Sequence, residues 1–403
     1  MTEKIYYEDT YCREFDAAVV SCEKVRERYE IVLDRTAFYP EGGGQPGDRG
    51  IIENAEPGQD WPKKVRILDT HEKDGQIRHY ADQPLKEGTK VHGRIDWQYR
   101  FDMMQNHSGE HIVSGLIHKK YGYENVGFHM GSDFITIDLS GELTMDQLRE
   151  IEDEANQIIW NDCVTDIKVY DEEAVKSIEY RSKKELHGQV RIVTFPGADV
   201  CACCGTHVAR TGEIGLIRIY SCVRFHSGVR VELLCGRRAL EYDRILCEQN
   251  QKVSMDVSAK PFETAAGVEK VIETGKNAVF QYRELQRMID RERAHNLTGV
   301  GNLAVFIEGK NMDAVGKSAA EIMENCGGIC AVFSGTAKAG FCYAIGQKDG
   351  DCREFVKEMN QTLNGRGGGK PFFAQGKIQA EKREIKEFFR THKGNWLIFE
   401  MPY

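Results

Sequence analysis

Two short motifs in the chain carry side chains that bind transition metals. The first is His107-Ser-Gly-Glu-His111, inside a stretch with helical periodicity, and the second is Cys203-Cys-Gly-Thr-His207. Histidines four residues apart lie on one face of a helix, so both imidazoles can reach one ion. Three imidazoles and one thiolate suit zinc, which favours tetrahedral nitrogen and sulfur coordination. The spacing therefore predicts one zinc ion per chain, bound by His107, His111, Cys203 and His207.

The cysteine of this set has competitors, because Cys201 and Cys204 lie beside Cys203 in the sequence. We choose Cys203 because it repeats the one-turn spacing of the histidine pair. The chain has 13 cysteines in all, and in a reducing compartment cysteines are metal ligands or buried thiols rather than disulfides. Four protein ligands are typical of structural zinc, whereas catalytic sites keep a position open. A zinc ion that expands its coordination or exchanges a weak ligand could still polarise a carbonyl, so the role of the metal stays open.

Glu110 is the carboxylate nearest to the histidine pair in the sequence. It is our candidate general base or water-positioning group. The alternative is a carboxylate that orients a ligand histidine without taking part in the chemistry.

The elements that must position these motifs change along the chain. The first hundred residues contain short runs rich in β-branched residues, separated by turn formers, which predicts a small β-barrel. An α+β domain follows and ends near Gly236. Two charged helical segments come next, and the second carries a narrow apolar seam, which suits a helical hairpin, a coiled coil or an amphipathic linker. The rest alternates strand and helix as in a compact α/β domain. The predicted class is thus an α+β multidomain protein, with domains at residues 1–97, 98–236, 237–296 and 297–403.

Charge and hydropathy indicate which classes of partner, nucleic acid or membrane, the chain can bind. The net charge of −9 argues mildly against nucleic-acid binding, but residues 361–393 carry eight Lys or Arg against three Glu, so one end is basic. No apolar run is long enough to span a membrane, and the first residues lack the apolar core of a signal peptide. We therefore expect a cytoplasmic protein with no membrane partner.

Beyond their ligand residues, the two metal motifs resemble those of the alanyl-tRNA synthetase editing domain. The matching stretches read RFDMMQNHSGEH from Arg100 and CCGTHV from Cys203. Residues 36–48, TAFYPEGGGQPGD, resemble the glycine-rich motif of that family, and residues 364–376, NGRGGGKPFFAQG, are similar to the glycine signature of the DHH-associated RNA-binding domain. There is no Asp-His-His tripeptide, and the chain begins directly in the editing region. The combination resembles the long form of the freestanding AlaX trans-editing proteins, without a synthetase domain of their own.

This resemblance implies a substrate and further site residues. The reaction would be hydrolysis of the aminoacyl ester of tRNA(Ala) mischarged with serine, in some cases glycine. His129 matches a polar position near the pocket and is a second catalytic candidate, although a lone histidine is more often structural. The implied substrate-binding residues are Thr36, Gly42, Gly43, Gly44 and Gln45. The implied RNA-binding residues are Arg366, Gly367, Gly368, Gly369 and Lys370. The C-terminal half would also support a homodimer.

Two other functional classes fit parts of the sequence. His107-Ser-Gly-Glu-His111 also matches the H-x-x-E-H motif of inverted zinc peptidases, but those take a carboxylate as third ligand, whereas this chain offers a Cys/His pair. A non-catalytic tRNA-binding protein with a structural zinc is the second alternative.

Overall fold

The computed structural model describes residues 2–55, 61–182 and 188–401. The chain divides into two compact units, Met1–Lys252 and Val253–Tyr403. Both contain helices and strands, so the α+β multidomain class is confirmed. The finer division into four domains stays a prediction.

The first unit begins with the predicted β-barrel. Its strands alternate buried apolar and exposed polar side chains, which is the pattern of a sheet with one face on a core. Six of these strands close into a barrel in the order β2-β3-β7-β6-β5-β8. The elements of this part are β1 (Glu3–Lys4), α1 (Ile5–Glu8), β2 (Glu14–Val25), β3 (Arg28–Leu33), β4 (Arg35–Thr36), β5 (Gly50–Asn54), β6 (Lys64–Lys73), β7 (Gln76–Ala81) and β8 (Lys90–Ile95).

The remainder of this unit is built around one long helix, α2 (Trp97–Tyr121). Asp96 caps its first turn by accepting a hydrogen bond from the Tyr99 N–H, and Gly122 ends it in a left-handed conformation with φ 70°. The helix is buried around its whole circumference from Asp102 to Ile117. Its polar side chains are therefore enclosed and must find partners inside the protein.

Two sheets and the helix α3 pack against α2, and α5 follows them in the chain. The sheets have the strand orders β14-β15-β10-β9 and β11-β12-β13. A capping box between Thr144 and Gln147 starts α3. These elements are β9 (Asn125–Met130), β10 (Ile135–Leu139), α3 (Met145–Trp160), β11 (Asp166–Tyr170), α4 (Glu172–Val175), β12 (Val190–Phe195), β13 (Asp199–Ala202), β14 (Ile217–Phe225), β15 (Gly228–Cys235) and α5 (Gly236–Asp256).

The second unit is a mixed six-stranded sheet with helices packed against it, preceded by the long helix α6. The sheet order is β19-β20-β18-β17-β16-β21. None of the helices in the described residues has the length and apolar composition that a membrane crossing requires. The elements are α6 (Thr264–His295), β16 (Gly301–Ile307), α7 (Met312–Met323), β17 (Gly327–Thr336), β18 (Gly340–Gly346), α8 (Arg353–Thr362), β19 (Gly365–Lys370), β20 (Phe373–Ile378), α9 (Lys382–Thr391) and β21 (Trp396–Met401).

Candidate metal centre

The structure brings together the four side chains that the spacing predicts. Helix α2 supplies His107 and His111, and the loop after β13 supplies Cys203 and His207; their ligand atoms all lie within 4.8 Å of one another. The Cys203 Sγ atom lies 3.5 Å from Nε2 of His107 and 3.4 Å from Nε2 of His207. Two ligands of a tetrahedral zinc ion, one nitrogen and one sulfur, are about 3.6 Å apart. The donor set and its spacing therefore fit zinc without rearrangement.

Each histidine is held by its other ring nitrogen. Nδ1 of His107 lies 3.0 Å from Oε1 of Gln45, and Nδ1 of His207 lies 3.4 Å from Oγ of Ser108. Nδ1 of His111 lies 2.9 Å from Oδ2 of Asp199. Protons on the three Nδ1 atoms would satisfy these contacts and leave each Nε2 lone pair free for the metal, which is the arrangement typical of metal-binding histidines.

The charges of the cluster favour a thiolate. Burial opposes the charged form of the Cys203 thiol, but the three imidazoles outweigh it and hold the pKa of Cys203 well below its usual range. Burial is also the main cause that lowers the pKa of His207 to about 3. Burial disfavours protonated His111 as well, but Cys203 and Asp199 raise its pKa well above the usual value. Because metal ligands bind in the deprotonated form, metal binding at this cluster is expected to depend on pH.

The structure separates the three neighbouring cysteines. Cys203 lies among the histidines, whereas Cys204 is exposed. Cys201 is buried and groups with His111 and Asp199 instead. The geometry thus favours Cys203 among the three alternatives, and its role as ligand stays a prediction.

Asp199 is a site residue that sequence reasoning missed. Its side chain is 1% exposed and binds Nδ1 of His111 on one side and the Arg181 guanidinium on the other. The two bonds from Arg181 are both 2.8 Å long. Arg181 thereby offsets the charge of a buried carboxylate and fixes its orientation toward His111. The only sequence signal for Asp199 is its position four residues before Cys203.

The glycine-rich motif reaches the metal centre through Gln45. The Gln45 Oε1 atom accepts from the Thr206 N–H at 3.1 Å, and its Nε2 donates to Thr206 Oγ1 at 2.8 Å. The same Oε1 faces His107, so one amide joins the loop to both metal motifs. Glycine is required at Gly205, because a Cβ atom there would lie 2.1 Å from Cε1 of His107.

The loop itself approaches the imidazoles closely. Gly44 has φ +86°, and a Cβ atom on it would lie 2.6 Å from the Phe128 ring, which stacks on His107 with ring centroids 5.3 Å apart. Gly43 has φ +62° and faces open space. Within the described residues, the N–H groups of Gly43 and Gly44 donate to no hydrogen-bond partner. Gln45 therefore contacts His107 directly and Gly44 approaches it through Phe128, and a role of Gly42, Gly43, Gly44 and Gln45 in substrate binding stays a prediction.

The two catalytic candidates occupy different environments. The Glu110 carboxylate is buried and accepts hydrogen bonds from Ser114 at 2.6 Å and from the side-chain amide of Asn125. It is thus held in place inside the protein rather than facing solvent. His129 lies on β9 and is exposed. A catalytic role stays a prediction for both.

Thr36 is fully buried and bound to a histidine of the barrel. Its Oγ1 atom lies 2.9 Å from Nε2 of His79 and accepts from the Phe38 N–H at 3.1 Å. Nδ1 of His79 lies 2.9 Å from the carbonyl oxygen of Ile31, so Nδ1 carries the proton and the Thr36 hydroxyl donates to Nε2. One lone pair of the Thr36 hydroxyl oxygen is left for a further donor.

Burial lowers the pKa of His79 to about 4. An unfolded histidine has its pKa near 6.5. Between pH 6.5 and pH 4 the unfolded chain therefore binds a proton at His79 that the folded chain does not. The free energy of unfolding falls as the pH drops through this range. We expect a loss of about 3 kcal/mol between pH 7 and pH 4 from this residue. Urea unfolding at several pH values measures it. A His79→Asn variant should lose this part of the pH dependence, and an unchanged slope in that variant would contradict the assignment.

An ion pair that the sequence did not reveal joins the glycine-rich motif to α2. The Arg100 guanidinium is fully buried and donates to Asp48, whose side chain is 1% exposed. Arg100 also donates to the carbonyl oxygens of Ala37 and Thr10. Asp48 in turn accepts from the Tyr39 N–H at 2.7 Å. The glycine-rich motif thus contributes Asp48 and the first metal motif contributes Arg100. Their ion pair fixes the loop relative to the helix that carries His107.

The predicted RNA-binding residues lie in the second unit. Residues 366–370 form most of β19, an exposed strand at the edge of the sheet rather than a loop. A cavity of about 510 Å³ lies between this strand and α8. Its lining includes Arg353, Lys357, Asn360 and Gln361 together with Gly367, Gly368 and Gly369. The strand and the helix face therefore form one groove, which Lys357 lines as a cation and in which the Arg353 guanidinium pairs with Asp351.

Comparisons with known proteins agree with these observations. The family described as tRNA synthetases class II (A) matches residues 2–99, the second additional domain of threonyl and alanyl tRNA synthetases matches residues 190–231, and the DHHA1 domain matches residues 299–393. The chain is 33% identical to the alanyl-tRNA editing protein AlaX-L of Pyrococcus horikoshii, over 96% of each chain.

The chain is also similar to parts of larger enzymes. It is 31% identical to the alanine–tRNA ligase of Ignicoccus hospitalis over 70% of this chain and 32% of the ligase. It is 31% identical to that of Pyrococcus furiosus over 98% of this chain and 44% of the ligase. The chain spans less than half the length of these ligases, but nearly the whole length of AlaX-L. The chain therefore belongs to the AlaX-L family of alanyl-tRNA editing proteins.

Proposed function

We propose that this chain hydrolyses the ester of tRNA(Ala) mischarged with serine, with one zinc ion held by His107, His111, Cys203 and His207. As a member of the alanyl-tRNA editing family, the chain is an aminoacyl-tRNA hydrolase. The serine substrate and the zinc dependence are the proposed parts. The observation that carries the proposal is the convergence of three imidazole nitrogens on one thiolate beside a glycine-rich loop with free N–H groups.

A bound zinc ion would supply positive charge that polarises the ester carbonyl or a water molecule. The chain's own residues would do the rest. The N–H groups of Gly43 and Gly44 have no protein acceptor among the described residues, and such donors stabilise the oxyanion of a tetrahedral intermediate. Glu110, oriented by Ser114 and Asn125, is the proposed acceptor of the proton of the attacking water. His129 is exposed on β9, and we propose that it contacts the substrate from the open side of the site.

Discrimination between serine and alanine requires a partner for one hydroxyl group. A site that hydrogen-bonds a substrate hydroxyl rejects the analogue without it by roughly 10⁴-fold or more, because its own polar group stays unpaired. We propose that the remaining lone pair of Thr36 accepts the serine hydroxyl proton. His79 supports this role, because its Nε2 accepts the hydrogen bond that the Thr36 hydroxyl donates, so the remaining lone pair can only accept.

The second unit would hold the body of the tRNA. The exposed edge strand β19 offers backbone groups between Arg366 and Lys370, and α8 adds Lys357 to the groove beside it, together with Arg353, which pairs with Asp351. Cations beside an open backbone suit contacts to phosphates and sugars. We also propose a homodimer through this half, because the apolar side chains of α6 are exposed in the single chain, among them Ile272 at 53% and Leu285 at 58%.

Serine release from purified Ser-tRNA(Ala), compared with alanine release from Ala-tRNA(Ala), tests the function. We expect the metal-loaded protein to hydrolyse the first and to leave the second largely intact. Serine release at the spontaneous rate, with metal bound, would favour a tRNA-binding protein with a structural zinc. A Thr36→Val variant should reduce the ratio of the Ser-tRNA rate to the Ala-tRNA rate. Valine keeps the shape of the threonine side chain but removes the hydroxyl oxygen that would accept the serine proton.

Asp199→Ala should weaken zinc binding about 10- to 100-fold, because His111 loses the group that orients it. Competition with a chromogenic chelator measures the affinity without any enzyme assay. Asp166→Ala is the matched control, since that carboxylate lies on the exposed strand β11. An affinity that is unchanged in Asp199→Ala would refute the orienting role.

A further inference from the structure

Arg191 lies directly beside the metal centre. It stands on β12, and its Nη1 donates to the carbonyl oxygen of Cys203 at 2.7 Å, while its own carbonyl oxygen accepts from the Cys203 N–H at 3.1 Å. One hydrogen bond thus holds the guanidinium against the backbone of Cys203, and the other holds the backbone of Arg191 beside the same residue. Across the described residues, no carboxylate lies within ion-pair distance of Arg191, whereas nearby Lys4 pairs with Glu72 at 2.7 Å. A half-buried guanidinium without an anionic partner is suited to bind a phosphate.

Tyr7 lies next to this cation. The Arg191 guanidinium carbon is 5.6 Å from the centroid of the Tyr7 ring. The ring is supported from behind by Tyr6, with ring centroids 4.7 Å apart, and 41% of Tyr7 is exposed. Because the same guanidinium donates to the Cys203 carbonyl oxygen, its contact with Tyr7 places the ring close to the loop that carries Cys203. An exposed aromatic ring beside a cation offers a stacking surface for a nucleobase.

We propose that Tyr7 and Arg191 form the binding subsite for the 3′-terminal nucleotide of the tRNA, with the phosphate on Arg191 and the base on the Tyr7 ring. This inference rests on the proposed function, because the aminoacyl ester is attached to the ribose of that nucleotide. A base held here would bring the ester to the metal centre from the side of the Cys203 loop. The contacts are independent of the base identity, since every base offers a face for stacking.

Binding of two RNA minihelices to the metal-loaded protein tests the subsite. One ends in the complete 3′ sequence, and the other lacks the terminal adenosine and its phosphate. Fluorescence anisotropy should show about tenfold weaker binding of the shortened RNA to the unmodified protein. Tyr7→Ala and Arg191→Gln should each reduce this ratio toward one, because the subsite no longer distinguishes the two RNAs. Tyr7→Phe should keep the ratio, since it retains the ring.

Trp160→Ala provides the matched control, because it removes an exposed aromatic ring, 69% exposed, from the end of α3, which has no proposed role. The ratio should stay unchanged in this variant. A ratio that persists in both Tyr7→Ala and Arg191→Gln would overturn the subsite even if serine release is normal. If the unmodified protein releases no serine but still distinguishes the two RNAs through these residues, the proposed function fails and the subsite stands. Arg191→Gln covers the case in which Tyr7→Ala does not fold.

Discussion

Replacing Cys203 with alanine should remove both the metal and the activity. Cys203 is the one sulfur among three imidazoles, and its Sγ atom lies 3.4–3.5 Å from two of the Nε2 atoms. Loss of a ligand should weaken zinc binding beyond the roughly 10- to 100-fold loss that follows removal of an orienting partner. Serine release should fall on the order of a thousandfold, since a metal ion contributes several kcal/mol to such reactions. Metal analysis of the purified variant, together with the deacylation assay, measures both effects.

Cys204→Ala is the control that the chain itself provides. Cys204 is the next residue, is exposed, and lies outside the group of four side chains. The variant should retain one zinc ion per chain. If Cys204→Ala loses the metal and Cys203→Ala keeps it, the choice among the three neighbouring cysteines is wrong.

Replacing Arg100 with leucine should cost about 3–5 kcal/mol of stability, because it leaves the Asp48 carboxylate buried without its counter-charge. The carbonyl oxygens of Ala37 and Thr10 lose a donor as well. Urea unfolding followed by tryptophan fluorescence is a suitable measurement, since Trp97 begins the same helix. The glycine-rich loop should also lose its fixed position, so the KM for Ser-tRNA should rise.

Two variants control this experiment. Arg149→Ala removes a cation whose partner, Asp146, is 89% exposed, and should change stability by less than about 1 kcal/mol. The double variant Arg100→Leu, Asp48→Asn should recover part of the loss, because no unpaired buried charge remains. If Arg100→Leu is as stable as the unmodified protein, the Arg100–Asp48 ion pair does not hold the loop to the helix.

Local patterns in the sequence predicted the elements well. The barrel strands, the helix that carries His107 and the capped helix α3 each have a periodic pattern or a cap that involves only near neighbours. The four metal-binding candidates could also be found from their residue types and spacing. One helical turn joins His107 and His111, whereas Cys203 and His207 lie in a loop, so the one-turn argument for Cys203 does not hold there. The structure adds that the two pairs meet, which no local pattern determines.

Contacts between distant segments could not be predicted. Gln45 and His107 are 62 residues apart, Asp199 and His111 are 88 apart, and Arg100 and Asp48 are 52 apart. These pairs depend on how the barrel, the glycine-rich loop and β13 pack on α2. The helix α2 is also buried on all sides, so its polar residues do not follow an amphipathic pattern. The glycine run at residues 365–370 also escaped prediction as a strand, because glycine has a low strand propensity and the pairing comes from β20.

The Gln45 amide has a thermodynamic consequence if His107 binds the proposed metal ion, since the amide is shared by the glycine-rich loop and this histidine. A ligand that orders the loop also restrains His107, and coupling between two binding events is reciprocal. The factor by which the metal strengthens substrate binding must equal the factor by which the substrate strengthens metal retention. The protein would hold its metal most firmly while tRNA occupies the loop. Its metal content in a zinc-poor cell would then follow the supply of mischarged tRNA.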